Sequence, residues 1–364
     1  MKLGGVGDQP VHFRHCGDCL ALNIGRASGD DQARIGAITA RAADIEREAI
    51  AAMPEVDGLI ANTAKLDPRA WNAPVPQAPL PPTRTRAFVA VQNGCDHACT
   101  FCVIPQGRGK SRSLSVADVL AQVGLHLKEG AKEVVLTGVD LTSWGQDFEP
   151  KLGLGALVTA ILAEFTSLER LRLSSVDGIE IDEALFDLIA HEPRVMPHLH
   201  LSLQHGHNLI LKRMKRRHSR GDALDLVTRL RAARPEIAVG ADLIAGFPTE
   251  TSEHHAANLA IIADLDIVHG HIFPYSPRPN TPASRMPQLD RSIIKARAAE
   301  LRAAVARRRA AWLDGFVGET LSVLAERDGT GYAPSYARVA LPEGTRAGAM
   351  VDVTIRAVEG GLLV

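Results

Sequence analysis

VQNGCDHACTFCVIPQGRGKSRS, residues 91–113, overlaps the end of RAFVAVQ (86–92), whose alternating apolar residues read as a β-strand. Cys95, Cys99 and Cys102 form a C-x3-C-x2-C array straight after that strand. They fall in the first loop at the carboxyl end of a sheet, where β/α folds place their chemistry. Thiolates are soft ligands suited to zinc, copper(I) or iron–sulfur clusters, and Arg108, Lys110 and Arg112 just downstream favour the deprotonated form. Three thiolates are one short of a closed four-cysteine site, so an open position for a substrate or cofactor is expected. Spacing alone equally admits a zinc site completed by His97 or a distant histidine, or buried cysteines without metal.

Downstream the pattern alternates. A helical face is formed by Val116, Val119, Leu120, Val123 and Leu127, followed by the strand EVVLTG (133–138). Then come a helix around 153–166, strand RLRLSS (170–175), helix 182–191, strand HLHLSL (198–203) and helix 222–233. Strand AVGADLI (238–244), a helix near 251–264 and strand DIVHGHIF (266–273) complete six strands. Repeated βα units require parallel strands, which either a barrel or an open doubly wound sheet satisfies. A long basic helix is expected over 290–312, and from 318 short β segments such as LSVLAE, SYARVAL and MVDVTIRAV predict a small all-β domain. Five prolines within 73–85 mark an extended linker and a domain boundary.

The chain has 364 residues, 46% of them hydrophobic and 23% charged, enough to bury ordinary cores and to exclude wholesale disorder. It contains no apolar run of membrane-spanning length, and its first twenty residues lack the apolar core of a secretory signal, so a soluble cytoplasmic protein is expected. A net charge of -1 gives no global field toward nucleic acid or membrane, so a polyanion must be held by local patches. LKRMKRRHSR (211–220) carries Lys212, Arg213, Lys215, Arg216, Arg217 and Arg220 without an acid, and residues 291–309 carry seven basic residues against Glu300. Such runs are usually solvated faces, but here they suit phosphate contacts.

The cysteine array, with Phe101 immediately before its third cysteine and six β/α units around it, resembles the signature of the radical S-adenosylmethionine superfamily. That resemblance implies a partial (β/α)6 barrel. It also implies a four-iron four-sulfur cluster on the three cysteines, whose remaining iron chelates S-adenosylmethionine and cleaves it reductively to a 5′-deoxyadenosyl radical. CDHACTFCVIPQGRGKSRS, LTGVDLTSWGQD (136–147), RLRLSSVDGIEID (170–182), PHLHLSLQ (197–204), LKRMKRRHSR, GADLIAGFPTET (240–251) and HIFPYSPRPNTPASRMPQ (271–288) are similar to the methylthiotransferase family. Within it they resemble the branch acting on threonylcarbamoyl-adenosine beside the tRNA anticodon. The implied partners are tRNA and an electron donor for cluster reduction, and the tail resembles a TRAM domain that grips tRNA. Cofactor contacts are expected from Phe101, Gly138, Asp140, Ser174, Ser175, Gln204 and Asp242, all in loops or at strand positions facing a barrel's mouth.

The expected organisation is an amino-terminal segment over 1–72, a linker over 73–85, a radical core over 86–312 and the β domain over 313–364. Residues 33–71 resemble the end of the family's additional amino-terminal domain, whose three separated cysteines hold a second cluster. Here Ala40 and Arg41 stand where its third cysteine belongs, and only Cys16 and Cys19 lie upstream. With His12 or His15 that pair suits zinc, or nothing. Sulfur transfer is therefore the step this sequence places in doubt. LQHGHN (203–208) departs as well, with His205 and His207 where the family has a serine and an aspartate. The alternatives are the branch that methylthiolates a ribosomal-protein aspartate, and a noncatalytic RNA-binding remnant. A zinc hydrolase is disfavoured, because no His-rich ligand pair with a nearby base stands out.

Overall fold

The computed structural model describes residues 85–364; the expected amino-terminal segment, Cys16, Cys19 and almost all of the proline-rich linker lie outside them. β1 (Arg86–Asn93) pairs in parallel with β3 (Glu133–Gly138), and β3 with β4 (Arg170–Leu173), while the two-residue β2 (Arg112–Ser113) adds an antiparallel edge to β1. A second parallel sheet runs β5 (Ser175–Val176), β6 (His198–Gln204), β7 (Ala238–Ala245) and β8 (Ile267–Pro274).

RLRLSS, expected as one strand, is divided. Residues before Ser174 pair with β3, those after it pair with β6, and the Ser174 N–H closes the first ladder on the Leu136 carbonyl at 3.0 Å. The result is one six-position wall broken in its third strand. Among the described residues no strand pairs with the outer edge of β8, so the wall is an incomplete barrel.

Helices α1 (Val116–Lys128), α2 (Leu154–Glu164), α3 (Glu183–His191), α4 (Arg220–Ala233) and α5 (Ser252–Asp264) connect or follow the parallel strands. Polar caps start most of them. The Asp118 N–H donates to Ser115 Oγ at 3.1 Å, and Ser219 with Asp222 and Thr251 with His254 close capping boxes. Odd-numbered residues of β6 and β7, such as Leu199, Leu201, Val239 and Ala241, are buried in the core that also holds the helices' apolar faces. The even-numbered residues face the lumen and are mostly polar. α6 (Arg291–Asp314) packs along β8, where a Cβ on Gly270 would lie 2.5 Å from Val305 Cγ2. None of these helices is long and apolar enough to cross a membrane.

The tail forms a six-stranded sheet: β9 (Thr320–Ala325), β10 (Thr330–Tyr332), β11 (Arg338–Ala340), β12 (Met350–Thr354), β13 (Val358–Glu359) and β14 (Leu362–Leu363). All its pairings are antiparallel except β11 with β14, and its core includes Leu313 from the last turn of α6.

This sheet closes the base of the barrel. Arg172 makes a bidentate pair with Glu133, Nε to Oε1 and Nη2 to Oε2 both at 3.1 Å, with the two side chains 3% and 0% exposed. Its remaining Nη1 donates to the Pro334 carbonyl at 3.0 Å, while Arg170 donates to the carbonyls of Tyr332 at 2.9 Å and Ser322 at 2.7 Å. Arg86 lies over the Tyr332 ring at 4.5 Å and holds Glu326 at 2.7 Å. Removing one partner of a buried pair strands the other charge in low dielectric. Glu133→Gln is therefore expected to lower the free energy of unfolding by about 3–5 kcal/mol, measured by urea denaturation. A loss below about 1 kcal/mol, the scale of an exposed pair, would contradict this assignment.

Candidate active site

The cysteine loop leaves β1 through Gly94, at φ +79°, where a Cβ would lie 1.9 Å from the Lys110 carbonyl oxygen. The close return is fixed by Cys95 N–H on the Gly109 carbonyl at 3.1 Å and by the Gln92 amide, which donates to the Gly94 carbonyl at 2.9 Å and to Ser111 Oγ at 2.8 Å. Thr100 anchors the far side, its hydroxyl donating to the Arg213 carbonyl at 2.8 Å and its N–H to that of Met214 at 3.1 Å. Phe101 packs against a cluster that includes Met214, Phe247 and Tyr275.

The three thiols are half-buried, and each accepts a hydrogen bond. The donors are His97 N–H to Cys95 at 3.4 Å, Ile104 N–H to Cys102 at 3.4 Å and Arg216 Nη1 to Cys99 at 3.6 Å. Burial, reinforced by Asp140 at 3.5 Å, pushes the Cys95 thiol up to about 12, so ligation must displace its proton. Besides Arg108, Lys110 and Arg112, to which the sequence pointed, Arg216 from the loop after β6 donates to a thiol. Arg216 is itself held by Asp177 at 2.7 Å and by the Ser202 carbonyl at 2.8 Å.

A second layer surrounds this loop. His97 Nε2 lies 2.7 Å from Asp140 and 3.5 Å from Glu180, and hydrogen bonds to these two carboxylates push its pKa up to about 10. Glu180 also accepts from Thr142 at 2.8 Å and pairs with Arg217, and Ser143 donates to Asp140 at 2.8 Å. The Asp140 N–H donates to Gln92 Oε1 at 2.9 Å. Gly138 beside it is tightly packed: a Cβ would meet Leu141 Cα at 3.0 Å and Gln92 Oε1 at 3.1 Å, so a side chain there would push these neighbours aside.

The other expected contacts spread along the wall. Ser174 Oγ sits at the strand break, buried and without a hydrogen bond. Ser175 is opposite His200 in the β5–β6 ladder, and Gln204 ends β6 at φ 69°. Asp242 lies mid-strand on β7, engaged by His200 and His271. The departures at 205 and 207 have local duties. His205 is fully buried against Glu250 at 3.2 Å, which also accepts the N–H groups of Gly246 at 3.0 Å and Phe247 at 3.2 Å. His207 caps the helical segment Asn208–Arg213, accepting the Leu209 N–H at 3.2 Å.

The first basic run is largely committed inward, whereas Arg291, Lys295, Arg302 and Arg307 of the second are exposed. Arg213 binds Thr249, Arg216 Asp177, Arg217 Glu180 and Arg220 Asp264, leaving Lys212 and Lys215 as the exposed basic side chains of the first run that make no such pair. On α6, Arg297 pairs with Glu250 and Arg308 with Asp266. The acids that neutralise these runs come from other elements, so the acid-free counts did not reveal them. Sequence reading also missed Arg216, Glu180 and the His200–His271 pair. The alternations HLH (198–200) and HGH (269–271), which set imidazoles on one face of adjacent strands, were the available signal for the last.

A family model described as the radical SAM superfamily matches residues 89–260. Threonylcarbamoyladenosine tRNA methylthiotransferase MtaB of Rickettsia prowazekii is 42% identical over 280 residues, 77% of this chain and 66% of that protein. tRNA-2-methylthio-N(6)-dimethylallyladenosine synthase of Paracoccus denitrificans is 38% identical over 245 residues, 67% of this chain and 55% of that one. Coproporphyrinogen III oxidase of Escherichia coli, a solved structure described as a radical SAM enzyme, superposes with a TM-score of 0.46 at 18% identity, covering 62% of this chain and 53% of that chain. The chain thus spans 55% to 66% of the length of these two sequence relatives. With the superfamily model lying on the barrel and identity of 42% running across 280 residues, the chain belongs to the radical SAM methylthiotransferase family.

Proposed function

We propose that this protein is a tRNA methylthiotransferase of the cytoplasm that modifies threonylcarbamoyl-adenosine beside the anticodon. The observation that carries the reading is the cysteine loop at the mouth of the barrel, in a chain 42% identical to a relative named for that activity. Cys95, Cys99 and Cys102 would hold a four-iron four-sulfur cluster, which three cysteines leave one ligand short for S-adenosylmethionine. The residues present fit these groups. Three thiols share one loop, each already accepting a hydrogen bond, and the buried Ser174 hydroxyl at the strand break has no hydrogen-bond partner among the described residues. Gly138, Asp140, Ser175 and Gln204 supply the further polar edge. When bound, the cluster and S-adenosylmethionine supply one-electron chemistry that no side chain can perform.

The chain's own groups set the conditions for it. Hydrogen bonds to the sulfurs and the charge of Arg216 stabilise added negative charge, which raises a cluster's reduction potential. His97, clamped between Asp140 and Glu180, sets a cation against those two acids and offsets part of their charge, although Asp140 still reaches Cys95 and opposes its thiolate. The tail sheet β9–β14 is the TRAM-like module that we assign to tRNA, with Lys212 and Lys215 as exposed phosphate contacts on the barrel.

Anaerobic reconstitution tests the proposal. The wild-type chain is expected to bind iron and sulfide, release 5′-deoxyadenosine from S-adenosylmethionine and methylthiolate tRNA, all lost in the triple Cys95→Ala, Cys99→Ala, Cys102→Ala variant. Absence of a cluster would overturn the enzyme reading; cleavage without methylthio product on tRNA would overturn sulfur transfer alone. Arg216→Met is expected to retain the cluster at a more negative potential, measured by redox-poised electron paramagnetic resonance.

A further inference from the structure

The lumen holds a second constellation that the cysteine loop does not use. His200 on β6, Asp242 on β7 and His271 on β8 lie on three adjacent parallel strands, with His200 opposite Gly240 and Asp242 opposite His271 in the ladders. Their neighbours Leu199, Leu201, Ala241 and Leu243 are buried in the core that includes the helices, so pleating turns all three toward the lumen. Asp242 Oδ1 is 3.0 Å from His200 Nε2 and 3.1 Å from His271 Nδ1, and the three ligand atoms lie within 4.8 Å of one another.

We propose that His200, Asp242 and His271 bind a divalent transition-metal ion of the zinc class. Around such an ion, with metal–nitrogen and metal–oxygen bonds of about 2.0–2.2 Å, adjacent donor atoms stand roughly 3.0–3.4 Å apart. The two measured separations already match that edge. Two imidazoles and one carboxylate are a donor set that suits zinc, iron(II) and cobalt(II) and leaves other positions free. His271 has a side chain 66% exposed, so those positions open on the lumen, where a water or an oxygen donor of a bound molecule completes the shell.

The surroundings are shaped for it. A Cβ on residue 240 would lie 2.3 Å from His200 Nδ1, so Gly240 lets the imidazole settle against β7 with Nε2 aimed at Asp242. The neighbouring His198 and His269 are engaged elsewhere, His198 stacked on Tyr336 at 5.1 Å between ring centroids and His269 Nε2 3.3 Å from the Ser335 carbonyl oxygen. Arg172, the cation nearest them on β4, is neutralised by Glu133, and Arg309 donates to His269. Asp242 is thus the carboxylate that faces both imidazoles. This proposal does not depend on the reaction assigned to the cysteine loop.

The test is metal titration of the full chain with Cys16, Cys19, Cys95, Cys99 and Cys102 all changed to Ser, so that no thiol competes. One equivalent of cobalt(II) is expected, with visible d–d absorption displaced by zinc. Asp242→Asn and His271→Ala, made separately in that background, are each expected to weaken binding by at least about tenfold, the least that altered ligation costs. His271 is exposed, so its variant should melt as its parent does without metal. The same titration on wild-type chain with alkylated thiols is the second measurement, should five serines impair folding. No retained cobalt, or cobalt binding that both variants leave unchanged, would overturn the proposal.

Discussion

Everything above the base of this barrel rests on the Arg172–Glu133 pair. Two charges are removed from water on adjacent strands, and their desolvation is offset because each guanidinium nitrogen has an acceptor: two on Glu133 and one on the Pro334 carbonyl. The third acceptor belongs to the tail. A barrel without the β9–β14 sheet would leave Arg172 and Arg170 short of carbonyl partners, and Arg86 without Glu326 and the tyrosine rings it covers. The two sheet systems therefore complete each other's hydrogen bonding, which is a stronger tie than apolar contact because an unmet buried charge has no inexpensive alternative.

At the opposite end, charge is organised by the same rule with a different outcome. The thiols are half-buried and the acids Asp140, Asp177 and Glu180 stand behind them, so the loop would be strongly acidic without compensation. His97, Arg216 and Arg217 supply it, each paired with a specific carboxylate. Asp177 illustrates the balance. Burial alone would raise its pKa, yet a hydrogen bond from His218 and the charge of Arg216 hold it below the usual carboxylate range. Because Arg216 spans from Asp177 to Cys99, the loop after β6 and the cysteine loop share one electrostatic unit.

Much of this was legible in the residues. The C-x3-C-x2-C spacing after RAFVAVQ placed the thiols at the strand end, and the β/α order emerged almost residue for residue because apolar periodicity reports burial directly. The interruption at Ser174 was not legible. Its cause is a change of pairing partner from β3 to β6, a long-range event that leaves RLRLSS looking like a uniform strand. The pairing within the first basic run was hidden for a related reason. Local counting sees the charges of 211–220 but not Asp177, Glu180, Thr249 and Asp264, which reach them from separate elements.

That break and the edge of β8, unpaired among the described residues, together explain why the lumen differs from a closed barrel, whose interior is filled by layers of branched apolar side chains. A wall that does not close cannot pack its inner face against itself. Inner positions must then be occupied by groups that tolerate water, and Phe88, 46% exposed on β1, is an exception that presents an apolar ring to any ligand entering there. Phe273 on β8, 50% exposed beside His271, is another, and the polar groups between them change with depth: hydrogen-bonded arginines at the base, imidazoles around Asp242 in the middle, and thiols at the mouth. Each layer meets a different requirement of buried polarity. The base is satisfied by the protein itself, whereas the mouth and middle present donor atoms whose best partners are not amino acids.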